Sequence, residues 1–191
     1  MSPRFFYYIQ ITNFAGMREL ILYTTVSLDG YIAPVYDGFE LINSIPNPEH
    51  ENYGKQEFYD SIDSVIMGRK TYYELICMDV EMPFKGKNIY VVTQKLLELH
   101  KEVHYINENH MDEIQKLKEL EGENIWLLGG GILTVSLLEH RLVDKMIINY
   151  LPLMIGNGIP LFPKYTGESN WKLTNSQSFK NGILKVEYQL I

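Results

Sequence analysis

Apolar and β-branched residues gather in short runs along the chain, and most runs end in a turn former or pass into residues at helical spacing. The first, ELILYTTVS at 19–27, stops at the turn former LDG and predicts a buried strand. YIAP then opens a polar, proline-containing stretch at 35–52 without a periodic pattern, which predicts a loop over a site. Tyr53, Phe58, Tyr59 and Ile62 suit one face of a short helix, residues 64–68 form a compact apolar strand, and 71–77 look helical. Strands are predicted at 88–93 and 103–106, followed by an amphipathic helix over 111–121. In that helix Ile114, Leu117 and Leu120 share a face, Asp112 and Glu113 sit near the start, and Gly122 stands at the stop.

NIWLL runs into Gly129, Gly130 and Gly131, a helix continues to about His140, and KMIINYLPLM is a further strand. The final residues alternate as two strands, WKLTNSQSF and ILKVEYQLI, joined through Asn181 and Gly182, a dipeptide favoured in hairpins. Strands alternating with helices predict an α/β fold with a mostly parallel sheet covered on both faces. The hairpin makes that sheet mixed.

The 191 residues suffice for one substantial core, so a single domain is expected over 17–191, preceded by a disordered extension at 1–16. The apolar run in that extension is broken by Gln10, Thr12 and Asn13 and is too short to span a bilayer, so neither export nor membrane anchoring is expected. A formal charge of -7 repels nucleic acid and anionic membrane, so an anion site has to be local. The single cysteine, Cys77, permits no internal disulfide, no zinc spacing is present, and a cytoplasmic address fits.

Three segments carry candidate chemistry. Gly129, Gly130 and Gly131 join a strand to a helix, where glycine allows close approach of a ligand to the backbone and free helix-terminal amides attract an anion. Close helix–sheet packing would use the same glycines equally well, and the spacing is neither that of a Rossmann site nor that of a nucleoside-triphosphate loop. The second segment, MGRKTYYE at 67–74, brings Gly68, Arg69, Lys70 and the Thr71 hydroxyl to another strand-to-helix turn. Cations at a helix N-terminus oppose the helix dipole, which favours a bound anion, such as the ribose phosphate of NADPH, as their reason. The third is TTVSLDGYIA at 24–33, with Asp29 as a candidate substrate contact at its turn. All three lie at carboxyl ends of strands, where open α/β sheets collect ligands. The five histidines have no metal spacing, and PLMIGNGIPLF at 152–162 reads as a turn between apolar anchors.

Taken in order, SLDGYIA, VIMGRKTYYE, VVT, WLLGGG and LLEHRLVDKMIINYLPLMIGNGIPLF resemble the dihydrofolate reductase-like superfamily. The resemblance runs from about Met17 to the end. It is strongest to the branch related to the C-terminal reductase domain of the bifunctional bacterial riboflavin-biosynthesis enzyme. It implies a mixed eight-stranded sheet with flanking helices, NADPH as hydride donor, a small-molecule substrate and a homodimer. Position by position, it sets Gly129, Gly130, Gly131 and Ile132 against the cofactor diphosphate. Arg69 and Thr71, with Gly68 and Lys70 beside them, fall against the adenosine phosphates, and Thr93 falls beside the adenosine half. Ile32 and Ala33 border the nicotinamide, with Thr25 behind it. The acidic residue of true dihydrofolate reductases corresponds to a place near Asn52. Glu49, Glu51 and Glu57 are close but none aligns, so the catalytic proton donor stays open. For a substrate phosphate, residues 34–57 offer only Lys55 and His50, and the zinc deaminase half is absent. The expected activity is NADPH-dependent reduction of a small pyrimidine- or pterin-like heteroaromatic, resembling 5-amino-6-(5-phosphoribosylamino)uracil reductase. The alternatives are dihydrofolate reductase proper and an NADPH-binding module without turnover.

Overall fold

A computed structural model describes residues 17–34, 41–77, 84–95 and 102–191. The expected extension at 1–16 and part of the expected loop, 35–40, lie outside the described residues. Eight strands form the main sheet: β1 (Leu20–Ser27), β3 (Ile62–Gly68), β4 (Asn88–Val92), β5 (Val103–Ile106), β6 (Asn124–Gly129), β7 (Lys145–Leu151), β9 (Trp171–Ser178) and β10 (Leu184–Leu190). Their order is β5-β4-β3-β6-β1-β7-β10-β9. Neighbours from β5 to β7 are parallel, and β10 and β9 close one side antiparallel. Two short strands, β2 (Tyr31–Ala33) and β8 (Ile159–Pro160), pair antiparallel beside it. The helices are α1 (Lys55–Asp60), α2 (Arg69–Cys77), α3 (His110–Glu119) and α4 (Gly131–Glu139). This is the mixed, mostly parallel sheet that the strand and helix alternation predicts, with the eight strands and flanking helices that the resemblance to the dihydrofolate reductase-like superfamily implies.

The alternation within β1 explains why both faces are covered. Leu20, Leu22 and Val26 enter one core with Ile114 and Leu117 of α3 and Leu133 and Leu137 of α4. Ile21 and Tyr23 point the other way, into a core with Phe58 of α1, Tyr72 of α2 and Trp126. Tyr23 stacks on Phe58 at 4.5 Å, and the Trp126 Nε1–H donates to the Tyr23 carbonyl at 3.1 Å. Two ion pairs sit at the amino-end side of the sheet. Arg18 meets Asp63 and also donates to the Ser64 hydroxyl and the Glu123 carbonyl. Lys118 Nζ lies 2.7 Å from Asp144, whose carboxylate also accepts from the Leu20 amide.

Several boundaries differ from those expected. α1 begins only at Lys55, because Tyr53 and Gly54 take left-handed φ values of 55° and 74°, and Ile62 belongs to β3 instead. α2 starts at Arg69, two residues earlier than expected. α3 stops at Glu119, and Leu120 turns extended and is 57% exposed, so it leaves the face that Ile114 and Leu117 bury. Gly122 serves the ion pair more than a helix stop: its φ is +152°, and a methyl there would fall 2.5 Å from Asp63. At the C-terminal hairpin, Gly182 N–H donates back to the Phe179 carbonyl with φ +87°, a turn through Lys180 and Asn181 closed by glycine.

Candidate active site at the strand ends

The carboxyl ends of β3, β6 and β1 come together at mid-sheet, with Met67 in register with Gly129. The turn after β6 and the turn after β3 are joined directly, the Gly130 N–H donating to Thr71 Oγ1 at 3.2 Å. Thr71, expected to offer its hydroxyl to a phosphate, is therefore buried as the link between the two turns. Gly68 faces the same junction, where a methyl would be 3.9 Å from the Gly129 carbonyl.

The three glycines have three different causes. Gly129 has φ +122°, and a methyl there would meet nothing within 4 Å, so the position is both conformationally obligatory and open. Gly130 supplies the link to Thr71. Gly131 is pressed against the chain, a methyl there falling 2.8 Å from both the Pro160 carbonyl oxygen and Pro163 Cδ. The packing expectation holds at Gly131, while at Gly129 the space beside the backbone is open.

Neither α2 nor α4 has an acidic residue in its first turn, so nothing on the helix neutralises the positive ends of their dipoles. Ile132, on that first turn of α4, is 82% exposed. Arg69 is exposed, its guanidinium 5.8 Å from the Tyr73 ring, and Lys70 is exposed with only a 3.8 Å contact to Glu74. Backbone amides, an open glycine and two solvent-facing cations thus share one rim, an arrangement that suits the phosphates of a dinucleotide. Thr93 is buried at the end of β4, its hydroxyl bonded to the backbone of Lys95 at 3.1 Å in both directions.

The turn after β1 is clamped by the segment 152–161. Leu28 N–H donates to the Leu153 carbonyl at 2.8 Å, and Leu161 N–H to the Gly30 carbonyl at 2.9 Å. Asp29 completes the clamp: its carboxylate accepts from Ser27 Oγ at 2.5 Å, Gly156 N–H at 2.7 Å and Ile155 N–H at 3.3 Å. The Ser27 hydroxyl, and after it these amides, hold the Asp29 carboxyl below its ordinary range against the opposing effect of desolvation. Its carboxylate is taken up by the fold, a stronger account than the expected substrate contact. Ile32 and Ala33 lie on β2 against β8, and Thr25 is half-buried on β1.

The acidic residues expected near a proton-transfer position do not converge. Glu49 is paired with Lys180 at 2.7 Å and Glu51 is exposed. Glu57, in the first turn of α1, is exposed, but its charge reaches the Tyr23 phenol. Among the described residues no cluster of three or more His, Cys, Asp or Glu is placed to hold a metal ion, and no helix is long and apolar enough to cross a membrane. A shallow depression over β4 and β5, lined by Tyr90, His104, Glu113 and Lys116, shares no residue with the strand-end rim.

The family model described as the RibD C-terminal domain matches residues 18–185, which include every strand-end turn described above. The chain belongs to that family. Among its relatives, Uncharacterized protein YwjB of Bacillus subtilis (strain 168) is 33% identical over 167 residues, 87% of this chain and 95% of that protein. The solved structure of a protein assigned to riboflavin biosynthesis from Shewanella sp. PV-4 superposes with a TM-score of 0.81 at 25% identity, covering 91% of this chain and 99% of that one. Dihydrofolate reductase from Enterococcus faecalis, solved with NADP(H), superposes with a TM-score of 0.66 at 14% identity over 92% of this chain and 98% of that one, a likeness of fold.

One polar group in this RibD C-terminal-type domain escapes sequence reasoning. Asn149 on β7 is in register with Thr25 of β1 on one side and Lys185 of β10 on the other. On the same face lie Tyr23, Lys145 and Glu187. Asn149 Nδ2 donates to the Tyr23 hydroxyl at 3.3 Å, while Asn149 Oδ1 is buried without a partner among the described residues. Glu187 binds Lys145 at 2.7 Å, Lys185 at 3.4 Å and Asn175 at 3.1 Å. Burial pushes the Glu187 carboxyl up, but the hydrogen bonds from Lys145 and Asn175 and the two lysine charges outweigh it and hold the group below its ordinary range. A single asparagine inside an apolar strand was the available signal, and it points nowhere until β10 is known to lie beside it.

Proposed function

We propose that this protein is an NADPH-dependent oxidoreductase that reduces a small pyrimidine- or pterin-like heteroaromatic, in the manner of riboflavin-pathway reductases, and that it works in the cytoplasm as a homodimer. The observation that carries the proposal is the joined pair of glycine turns. Gly130 bonds to Thr71, so the open Gly129 and the amides of α4 stand beside Arg69 and Lys70, and neither helix start carries an acid. The cofactor, when bound, supplies the hydride. Gly129, Gly130 and Ile132 would hold the diphosphate, Arg69 and Lys70 the phosphate on the adenosine ribose, and Thr25, Ile32 and Ala33 would border the nicotinamide. Gly131 and Thr71 shape that cradle from behind. The likeness to a dihydrofolate reductase solved with NADP(H) supports the cofactor choice.

Dihydrofolate reductase proper is less well supported, because Glu49 is paired with Lys180 and Glu51 and Glu57 are exposed rather than gathered at one proton-transfer position. Calorimetric titration tests the cofactor half. NADPH is expected to bind more tightly than NADH, and Arg69→Ala to weaken NADPH by about 1.5–3 kcal/mol with little effect on NADH, the size of a lost hydrogen bond to a charged group. Equal affinity for the two cofactors, or none for either, would remove this reading.

A further inference from the structure

Asn149 is 1% exposed, and its amide satisfies one end only. Turning the amide over does not help, since whichever end meets the Tyr23 hydroxyl, the other is left without a partner among the described residues. A buried polar atom without a partner is costly and rare in native proteins, and each one calls for an explanation such as a functional role. Tyr23 adds a second unmet group. Its oxygen accepts from Asn149, which leaves the phenolic proton without an acceptor among the described residues, and a phenol carries that proton at neutral pH. An acceptor, Asn149 Oδ1, and a donor, the Tyr23 O–H, therefore stand side by side on the sheet face that carries Thr25, the residue placed behind the nicotinamide.

We propose that Asn149 and Tyr23 together form the recognition end of the substrate site and read a lactam edge, a ring N–H donating to Asn149 Oδ1 beside a ring C=O accepting from the Tyr23 hydroxyl. This rests on the reductase reading above and deepens it, naming the feature a heteroaromatic substrate must carry. Lys185 neighbours the pair across the β7–β10 pairing. It sits opposite Asn149 in the strand register, its side chain is largely buried, and its Nζ reaches Gly54 at the start of α1, where a methyl would fall 2.7 Å from it. With Lys145 it leaves this face with two cations around the ionised Glu187.

The probe is lumazine, a pteridinedione with free ring N–H groups, against dimethyllumazine, in which both pyrimidine N–H groups carry methyls. Their binding is followed by fluorescence on the full chain, and NADPH binding is measured in parallel. Wild type is expected to bind lumazine about tenfold or more tightly than the methylated compound. Asn149→Leu is expected to erase that preference while melting no lower than wild type, because it removes an unpaired polar atom. Tyr23→Phe, which deletes only the hydroxyl, is expected to weaken lumazine as well. The inference is overturned if wild type binds neither compound or both equally, or if Asn149→Leu keeps the preference, or if Asn149→Leu lowers stability and leaves lumazine binding intact. Lumazine discrimination without NADPH binding would sink the reductase reading and leave the recognition pair standing. NADPH binding without discrimination would do the reverse.

Discussion

Replacing Gly131 by alanine separates the two jobs that the glycine run performs. The added methyl would meet the Pro160 carbonyl oxygen and Pro163 Cδ, both at 2.8 Å. One is backbone and the other a proline ring atom, so neither can rotate away, and overpacking of this kind costs about 1–3 kcal/mol. The better helix propensity of alanine offsets at most about 1 kcal/mol of that. The net loss should therefore be about 1–2 kcal/mol, or roughly 2–8 °C in Tm for a chain of this length. Gly129→Ala differs in kind. Its methyl meets nothing within 4 Å, so its cost is backbone strain at φ +122°, of order 1–3 kcal/mol, and its larger effect should fall on the ligand. Thermal unfolding with and without saturating NADPH distinguishes them. Wild type gains stability with cofactor, Gly131→Ala melts lower but keeps that gain, and Gly129→Ala loses it. A Gly131→Ala protein that melts with wild type, or that loses the cofactor gain as fully as Gly129→Ala, would refute the division.

Asp29→Asn should destabilise the clamp on the β1 turn above the carboxylate range. The Asp29 carboxyl lies below its ordinary value of 3.8, so its contribution is present above that value and lost as pH falls through the folded-state value. Unfolding curves of wild type and Asp29→Asn should therefore converge in acid, and a gap unchanged by pH would contradict the carboxylate's role. Arg18→Met strips the partner from Asp63, Ser64 and the Glu123 carbonyl, and should cost about 3 kcal/mol in urea unfolding, since Arg18 is buried. A loss under about 1 kcal/mol would reduce the pair to a surface contact.

Much of this fold is legible along the chain because parallel strands buried on both faces read as short apolar runs, and several runs here end in glycine or a turn former. β1, β3 and β6 are found that way, and Asn181 and Gly182 announce the hairpin. What is not legible depends on neighbours distant in sequence. Leu120 continues the spacing of Ile114 and Leu117, and only the extended backbone after Glu119 removes it from their face. Gly122 looks like a helix stop until Arg18 and Asp63 are seen against it. Gly129 and Gly131 are the same residue two positions apart, one open and one packed on Pro160 and Pro163. At the site, the meeting of the two glycine turns with Arg69 and Lys70 follows from glycine and cation spacing at the strand ends. The polar group of Tyr23, Asn149 and Lys185 does not, because those residues meet only through the β1–β7–β10 register.

The central claim, that the joined turns after β3 and β6 hold a nicotinamide dinucleotide phosphate, is tested most directly by following backbone amide resonances during an NADPH titration. Saturable shifts are expected at Gly129, Gly130, Ile132 and Arg69, with the amides of α3 and β5 left in place. Shifts centred on α3 and β5, or no shift at the two glycine turns at saturating NADPH, would contradict it.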